Sequence, residues 1–157
     1  MFYNNTSETP GGAMYVSDID HVIINSSRFV KNQATSGGAV YAEMVKSLIQ
    51  VDALFVSNFA HANGGALFTR QITHVNCKNV LFRENKATKS GGALSLEMVH
   101  YTRMEHVYIN NNMAVLNGGG VRIKNCFSFS ILASSILNNR NHYWLIAHPG
   151  EFRMRIL

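Results

Sequence analysis

The sequence has little proline, cysteine or charge. Its 157 residues include 2 prolines and 2 cysteines, and only 15% are charged. Two cysteines cannot form the disulfide framework of a small secreted scaffold, and an apolar content of 46% excludes a disordered chain. No run of 18 apolar residues is present, which excludes a transmembrane helix. The formal net charge of +5 is modest and scattered, so it indicates an acidic partner only weakly.

Glycine shows a regular spacing. Eleven of the 12 glycines lie in five motifs that recur along the chain at steps of 26, 27, 27 and 27: Gly11-Gly12-Ala13, Gly37-Gly38-Ala39, Gly64-Gly65-Ala66, Gly91-Gly92-Ala93 and Gly118-Gly119-Gly120. A second motif, Phe or Ile followed three positions later by Asn, keeps the same period: Phe2/Asn5, Phe29/Asn32, Phe55/Asn58, Phe82/Asn85, Ile109/Asn112 and Ile136/Asn139. Such a period indicates stacked repeats. The one missing residue falls between Asn32 and Gly37, which predicts a loop there.

The residues that follow each glycine motif have the pattern of a strand. We count positions from the motif's third residue and call the residues at one position in successive repeats a column. Column +1 is apolar throughout: Met14, Val40, Leu67, Leu94 and Val121. Column +3 is mainly apolar: Val16, Ala42, Thr69, Leu96 and Ile123. This period of two predicts a strand with one buried face.

Each unit of about 27 residues is therefore predicted to form one turn of short strands, so the fold class is an all-β parallel β-helix of about five turns. We assign residues 1–141 to one domain of repeats and 142–157 to a C-terminal tail or cap, in which Tyr143-Trp144-Leu145-Ile146 would fold over the last turn. A solenoid needs such caps because its end turns expose core and unpaired strand edges.

Two further columns support this register. Asparagines that stack at a corner are expected to tolerate left-handed backbone and to hydrogen-bond along the stack as a structural ladder; they are Asn5, Asn32, Asn58, Asn85, Asn112 and Asn139. Column +4 alternates in charge through Glu43, Arg70, Glu97 and Lys124, an order that favours neighbouring strands.

The two motifs at this spacing resemble the repeat of the chlamydial polymorphic outer membrane proteins, from Phe2 to about Asn139. The resemblance implies a right-handed parallel β-helix of the pectin-lyase-like type, and the general crossover rule gives the same hand. It also implies a location at the cell surface or outside the cell and a role in adhesion. The chain would then be a module or a piece of a longer passenger protein.

The residues suggest no catalytic, metal or cofactor site, so we expect no enzyme activity. Asp18 and Asp20 share a turn, but the equivalent residues one turn on are Met44 and Lys46, so no carboxylate cluster is expected. His21 and His74 share a column with Ser47 between them, too far apart to hold one zinc ion. Cys77 and Cys126 are expected to be free, buried thiols.

Column +2 offers the candidate ligand-binding residues Tyr15, Tyr41 and Phe68, which are expected to point outward as an aromatic stripe for sugar rings or a protein. The alternative is a stack that only stabilises neighbouring strands. We expect a non-catalytic surface module that binds a protein or a glycan and no nucleic acid. Two other functions stay open: a carbohydrate-active enzyme, and a structural subunit that self-associates through its end turns. Asn4, Asn5 and Asn25 lie in glycosylation sequons.

Overall fold

The computed structural model describes residues 1–141, 145–147 and 153–156. The strands, in chain order, are β1 (Phe2–Tyr3), β2 (Met14–Asn25), β3 (Arg28–Val30), β4 (Gln33–Ala34), β5 (Val40–Val51), β6 (Leu54–Val56), β7 (Phe59–Ala60), β8 (Leu67–Lys78), β9 (Leu81–Arg83), β10 (Lys86–Ala87), β11 (Leu94–Glu105), β12 (Tyr108–Asn110), β13 (Met113–Ala114), β14 (Val121–Lys124), β15 (Ser128–Leu132), β16 (Ser135–Leu137), β17 (Leu145–Ala147) and β18 (Arg153–Ile156).

These strands form three parallel sheets that wind as a β-solenoid of about five turns. Sheet A has the order β1-β3-β6-β9-β12-β16, and sheet B has the order β4-β7-β10-β13. Sheet C contains the long strands, in the order β2-β5-β8-β11-β14-β17, with β15 pairing β11 and β18 pairing β15. The predicted all-β parallel fold is confirmed, and the right-handed sense of the winding stays a prediction.

The register follows the repeat period. Val40 pairs with Leu67 and Leu67 with Leu94, each one repeat further along the chain. The single shorter step is absorbed after β4, where Thr35 and Ser36 alone precede the glycine motif. A length change in a loop leaves the hydrogen-bonded strands in register.

Left-handed backbone makes four corners in each full turn. One is the first glycine of each motif, such as Gly64 at φ 65°, and another is column +5, which includes Met44 and Met98. A third corner precedes sheet A, at Asp52 in the second repeat. The fourth was predicted at the asparagine column, but the positive φ belongs to the residue before each asparagine, such as Glu84 at φ 57°. The asparagines themselves therefore keep ordinary backbone angles, and their side chains hold the corner instead.

The core is a stack of equivalent side chains. Phe2, Phe29, Phe55 and Phe82 stack nearly parallel with ring centroids 4.7–4.8 Å apart. The last three are fully buried, and Ile109 continues their column. Each such ring removes a large apolar area from water, which stabilises the fold by roughly 2–3 kcal/mol per side chain.

The C-terminal residues extend sheet C. The backbone of β17 pairs with β14, and that of β18 with β15, both in parallel. Most of the predicted tail or cap, including Tyr143 and Trp144, lies outside the described residues. Within the described part of the chain, no helix has the length and apolarity needed to cross a membrane.

Candidate interaction surface

The predicted aromatic stripe is a continuous stack. The rings of Tyr15 and Tyr41 lie 5.3 Å apart, and those of Tyr41 and Phe68 lie 5.0 Å apart, all nearly parallel. Their expected exposure is wrong for two of the three. Tyr15 is 52% exposed, whereas Tyr41 and Phe68 retain only 6% and 2%. Only Tyr15 therefore presents a large aromatic surface to solvent, and ligand binding by this column stays a prediction.

The packing of neighbouring side chains accounts for this burial: the Tyr41 ring lies between those of Tyr15 and Phe68, and Arg70 lies over Phe68, whereas Tyr15 is the first ring of the stack. Gly64 adopts a left-handed conformation, and a side chain placed on it would come within 3.0 Å of the Phe68 Cβ atom. A side chain on Gly37 would approach the Tyr41 Cα atom in the same way, at 3.1 Å. Gly11 makes the same left-handed corner before Tyr15, at φ 77°, yet Tyr15 is exposed, so the corner alone does not bury column +2. A period of two predicts the sheet face from which a side chain projects, but it does not predict how much of that side chain its neighbours cover.

The carboxylate of Glu43 lies beside the stack and is hydrogen-bonded by its tyrosine hydroxyls. Glu43 accepts hydrogen bonds from the hydroxyls of Tyr15 and Tyr41. Burial raises the pKa of Tyr41 to about 12, and the hydrogen bond to Glu43 adds to the shift. The Tyr41 phenol is consequently a neutral structural donor at physiological pH.

Column +4 continues as an ion-pair chain. Glu97 contacts Arg70 at 3.4 Å and Lys124 at 2.9 Å. Burial alone would raise the pKa of Glu97, but the hydrogen bond from Lys124 and the surrounding cations lower it overall. Arg70 also lies over the Phe68 ring, at 5.5 Å from the centroid. These contacts give the charged side chains of column +4 and the Phe68 ring structural roles.

Exposed aromatic side chains gather elsewhere on sheet C. His74 meets Tyr101 edge-on at 5.2 Å between ring centroids, and Tyr101 meets Phe127 at 6.1 Å. The ring of His100, the preceding residue, lies 6.4 Å from that of Tyr101 between centroids. We call these four residues the aromatic patch. Tyr101 is 51% and Phe127 48% exposed, so the patch presents ring surface to solvent.

Reading the sequence by columns misses this patch because its members come from two columns. His74 and Tyr101 lie at +8, whereas His100 and Phe127 lie at +7. Column +7 otherwise holds polar residues, such as Lys46. The signal in the sequence is the clustering of aromatic residues across two adjacent columns in the third to fifth repeats.

The acidic residues singled out in the sequence serve as surface groups. Asp20 forms an ion pair with Lys46 at 2.9 Å, which lowers the pKa of the aspartate. Asp18 sits at a left-handed corner and accepts a hydrogen bond from Ser17 at 2.8 Å. In the next turn, Met44 and Lys46 occupy the columns of Asp18 and Asp20, so no second acidic pair stacks on them.

Histidines and cysteines likewise stay apart. Ser47 separates His21 from His74 in the sheet, and no group of three metal-ligating side chains occurs among residues 1–141. Cys77 and Cys126 are free and buried, and burial raises the pKa of both thiols, that of Cys77 to about 12. Neither is a reactive thiolate in this environment.

The asparagine column forms an unbroken hydrogen-bonded ladder. Asn85 shows the pattern: its Oδ1 accepts from both the backbone N–H and the Nδ2 of Asn58, at 3.0 and 2.9 Å. Its Nδ2 donates to Oδ1 of Asn112 and to the backbone carbonyl of Phe55, both at 3.0 Å. The side-chain links run from Asn5 to Asn139 at 2.8–3.0 Å. The ladder satisfies the polar groups of a buried corner.

The geometry defines the class of this chain, a parallel β-solenoid built from a short repeat. The family model of the Chlamydia polymorphic membrane protein repeat matches residues 26–43 and 79–97. Both stretches start at the corner before sheet A, include a ladder asparagine and a glycine motif, and end in a long strand of sheet C. The chain therefore carries this repeat in a solenoid of about five turns. Searches of curated proteins and of solved structures gave no match.

Proposed function

We propose that the chain is a non-catalytic, surface-exposed module that acts in adhesion and that the aromatic patch is its contact site for a glycan or a protein. The exposure of Tyr101 in β11 beside Phe127, which directly precedes β15, carries the proposal. Rings already held by a sheet lose little conformational entropy on binding, and they offer both apolar faces and polar edges. The description of the matched repeat, from a membrane protein of Chlamydia, supports a surface location.

The rest of the described surface favours recognition over catalysis. A hydrolase needs two or three carboxylates on one face, and a lyase needs clustered carboxylates with a basic residue. Here Asp20 is paired with Lys46, and Glu97 with Lys124. The acids thus neutralise neighbouring cations one turn away.

Binding to a glycan array and to extracted cell-surface proteins tests the proposal. We expect wild-type protein to bind and Tyr101→Ser to weaken binding by about tenfold or more, since central aromatic contacts dominate such sites. Tyr108→Ser is the matched control, because Tyr108 is similarly exposed at 49% but lies on sheet A. Equal affinities of the two variants would refute the patch as the site.

Two additional measurements separate the alternatives. Tyr15→Ser tests the one exposed member of the predicted stripe, and a loss of binding there would move the contact site to column +2. Incubation with polysaccharides should yield no shortened products. Cleavage by wild-type protein would overturn the non-catalytic assignment and favour a carbohydrate-active enzyme.

A further inference from the structure

A cleft adjoins the aromatic patch on the outward face of sheet C. It has a volume of about 240 Å³, and its lining includes Asn76 and Lys78 of β8 and Arg103 and Glu105 of β11. Arg103 follows Tyr101 by two positions on the same face of the strand, so about 7 Å along the strand separates them. The patch and the cleft are therefore neighbouring parts of one surface.

The cleft carries a net positive charge. The Glu105 carboxylate lies 3.2 Å from Arg103 and 3.9 Å from Lys78, so two cations share one acid. His106 contacts the same carboxylate at 3.8 Å. Glu105 therefore neutralises one of the two full positive charges. Because both cationic side chains are more than half exposed, the remaining charge is accessible to a ligand.

The patch itself adds no opposing charge. Columns +7, +8 and +10 contain aromatic, imidazole, hydroxyl and amide side chains and Arg103 in the third to fifth repeats, but no aspartate or glutamate. The one acid in these columns is Asp20 of the first repeat, which is paired with Lys46. An anionic group can therefore approach the exposed rings from above the sheet without meeting a like charge at these positions.

The size of the cleft suits one unit of a longer ligand. Pockets that enclose a whole small molecule have roughly 300–1,000 Å³, so a cleft of about 240 Å³ holds a single ring or substituent. The rest of such a ligand would lie over Tyr101 and Phe127, and the C–H faces of sugar rings pack well on aromatic side chains. A single-stranded nucleic acid would need a groove of cations along its backbone, whereas here two cations share one carboxylate.

We propose that the aromatic patch and the adjoining cleft bind an acidic glycan, with sugar rings against Tyr101 and Phe127 and a carboxylate or sulfate substituent against Arg103 and Lys78. This inference rests on the proposed function, because it assigns a ligand class to the same patch. A guanidinium has five N–H donors, so Arg103 can keep its hydrogen bond to Glu105 while other donors bind the anionic substituent.

Three labelled hexasaccharides test the ligand class by fluorescence anisotropy: a chondroitin sulfate hexasaccharide, its desulfated form and neutral chitohexaose. At low salt we expect the sulfated probe to bind about tenfold or more tighter than chitohexaose, and this gap should narrow as the salt concentration rises. The desulfated probe retains only carboxylates, so its affinity shows which anionic group is recognised. Equal affinities for all three probes would overturn the acidic ligand class and leave the patch as a glycan contact.

Removal of one cation tests the role of the cleft. Arg103→Gln should reduce the preference for the sulfated probe over chitohexaose by about tenfold, because it removes the charged donors beside the rings. Arg83→Gln is the matched control: Arg83 is also half exposed and paired with a glutamate, Glu84 at 3.4 Å, but it lies in β9 of sheet A. Its preference should equal that of wild type. An unchanged preference in Arg103→Gln would overturn the proposal.

Tyr101→Ser separates failure of this proposal from failure of the proposed function. We expect it to weaken binding of all three probes, and circular dichroism checks that every variant folds. If Tyr101→Ser weakens binding but Arg103→Gln does not alter the preference, the patch stands and the acidic ligand class is wrong. If Tyr101→Ser changes nothing, both proposals fall. Binding to cell-surface proteins but to none of the probes, or equally tight binding to a single-stranded DNA hexamer, would also overturn the acidic glycan.

Discussion

Substitution of a central ladder asparagine should destabilise the fold far more than the same substitution at the ladder's end. Asn85→Ala removes four side-chain hydrogen bonds: two accepted from Asn58 and two donated, to Asn112 and to the Phe55 carbonyl. Each such bond contributes roughly 0.5–1.5 kcal/mol, and buried partners left without one cost more. We therefore expect a loss of about 4 kcal/mol in the free energy of unfolding.

Asn5→Ala is the matched control within the same ladder. Asn5 is exposed, and its side chain makes one hydrogen bond, to Asn32 at 2.8 Å, so the expected loss is about 1 kcal/mol or less. Denaturant unfolding followed by circular dichroism measures both. Single domains unfold with about 5–15 kcal/mol, so a loss of about 4 kcal/mol is easily resolved. Equal midpoints for the two variants would refute the ladder as a main source of stability.

Three further outcomes follow from individual contacts. Gly65→Ala should prevent stable folding, because the Cβ atom of the new alanine would lie 2.7 Å from the Lys86 backbone. Gly120→Ala is the control, and its free energy of unfolding should stay within about 1 kcal/mol of wild type. Thermal unfolding compares the two variants. Glu97→Gln should lower the free energy of unfolding by about 1–2 kcal/mol at neutral pH. Because the pKa of Glu97 is lowered in the folded wild type, the difference between the two proteins should shrink as acid protonates that carboxylate. Tyr41 has a raised pKa of about 12, so its contribution is complete below pH 10 and is lost as the pH rises towards 12. Tyr41→Phe should reduce the alkaline loss of stability, measured as unfolding midpoint against pH; an unchanged slope would contradict this.

The repeat spacing was sufficient to predict the solenoid because residues of the same type in one column lie beside each other in successive turns. A Phe column stacks only if the register is correct, and the spacing of Phe55 and Phe82 matches their pairing in sheet A. The asparagine column was predictable for the same reason. Local sequence did not indicate column +5 as a corner, because Met44 and Met98 are residues that rarely adopt positive φ. There the stacking of successive turns overrides the backbone preference of the individual residue.

The candidate site was harder to predict than the fold because exposure depends on how each side chain packs on its neighbours, which the column pattern does not include. Tyr41 and Tyr101 are both tyrosines at outward positions of sheet C, yet Tyr41 is buried between two parallel rings, whereas Tyr101 is half exposed beside rings that meet it edge-on. In a solenoid, the strand register sets which side chains stack, while the packing around each ring decides how much of it reaches solvent. The proposed contact site lies where a column departs from its earlier members, as at Tyr101, which follows His21, Ser47 and His74 in its column. A search for breaks in column identity, rather than for the strongest column, would have located the patch from the sequence.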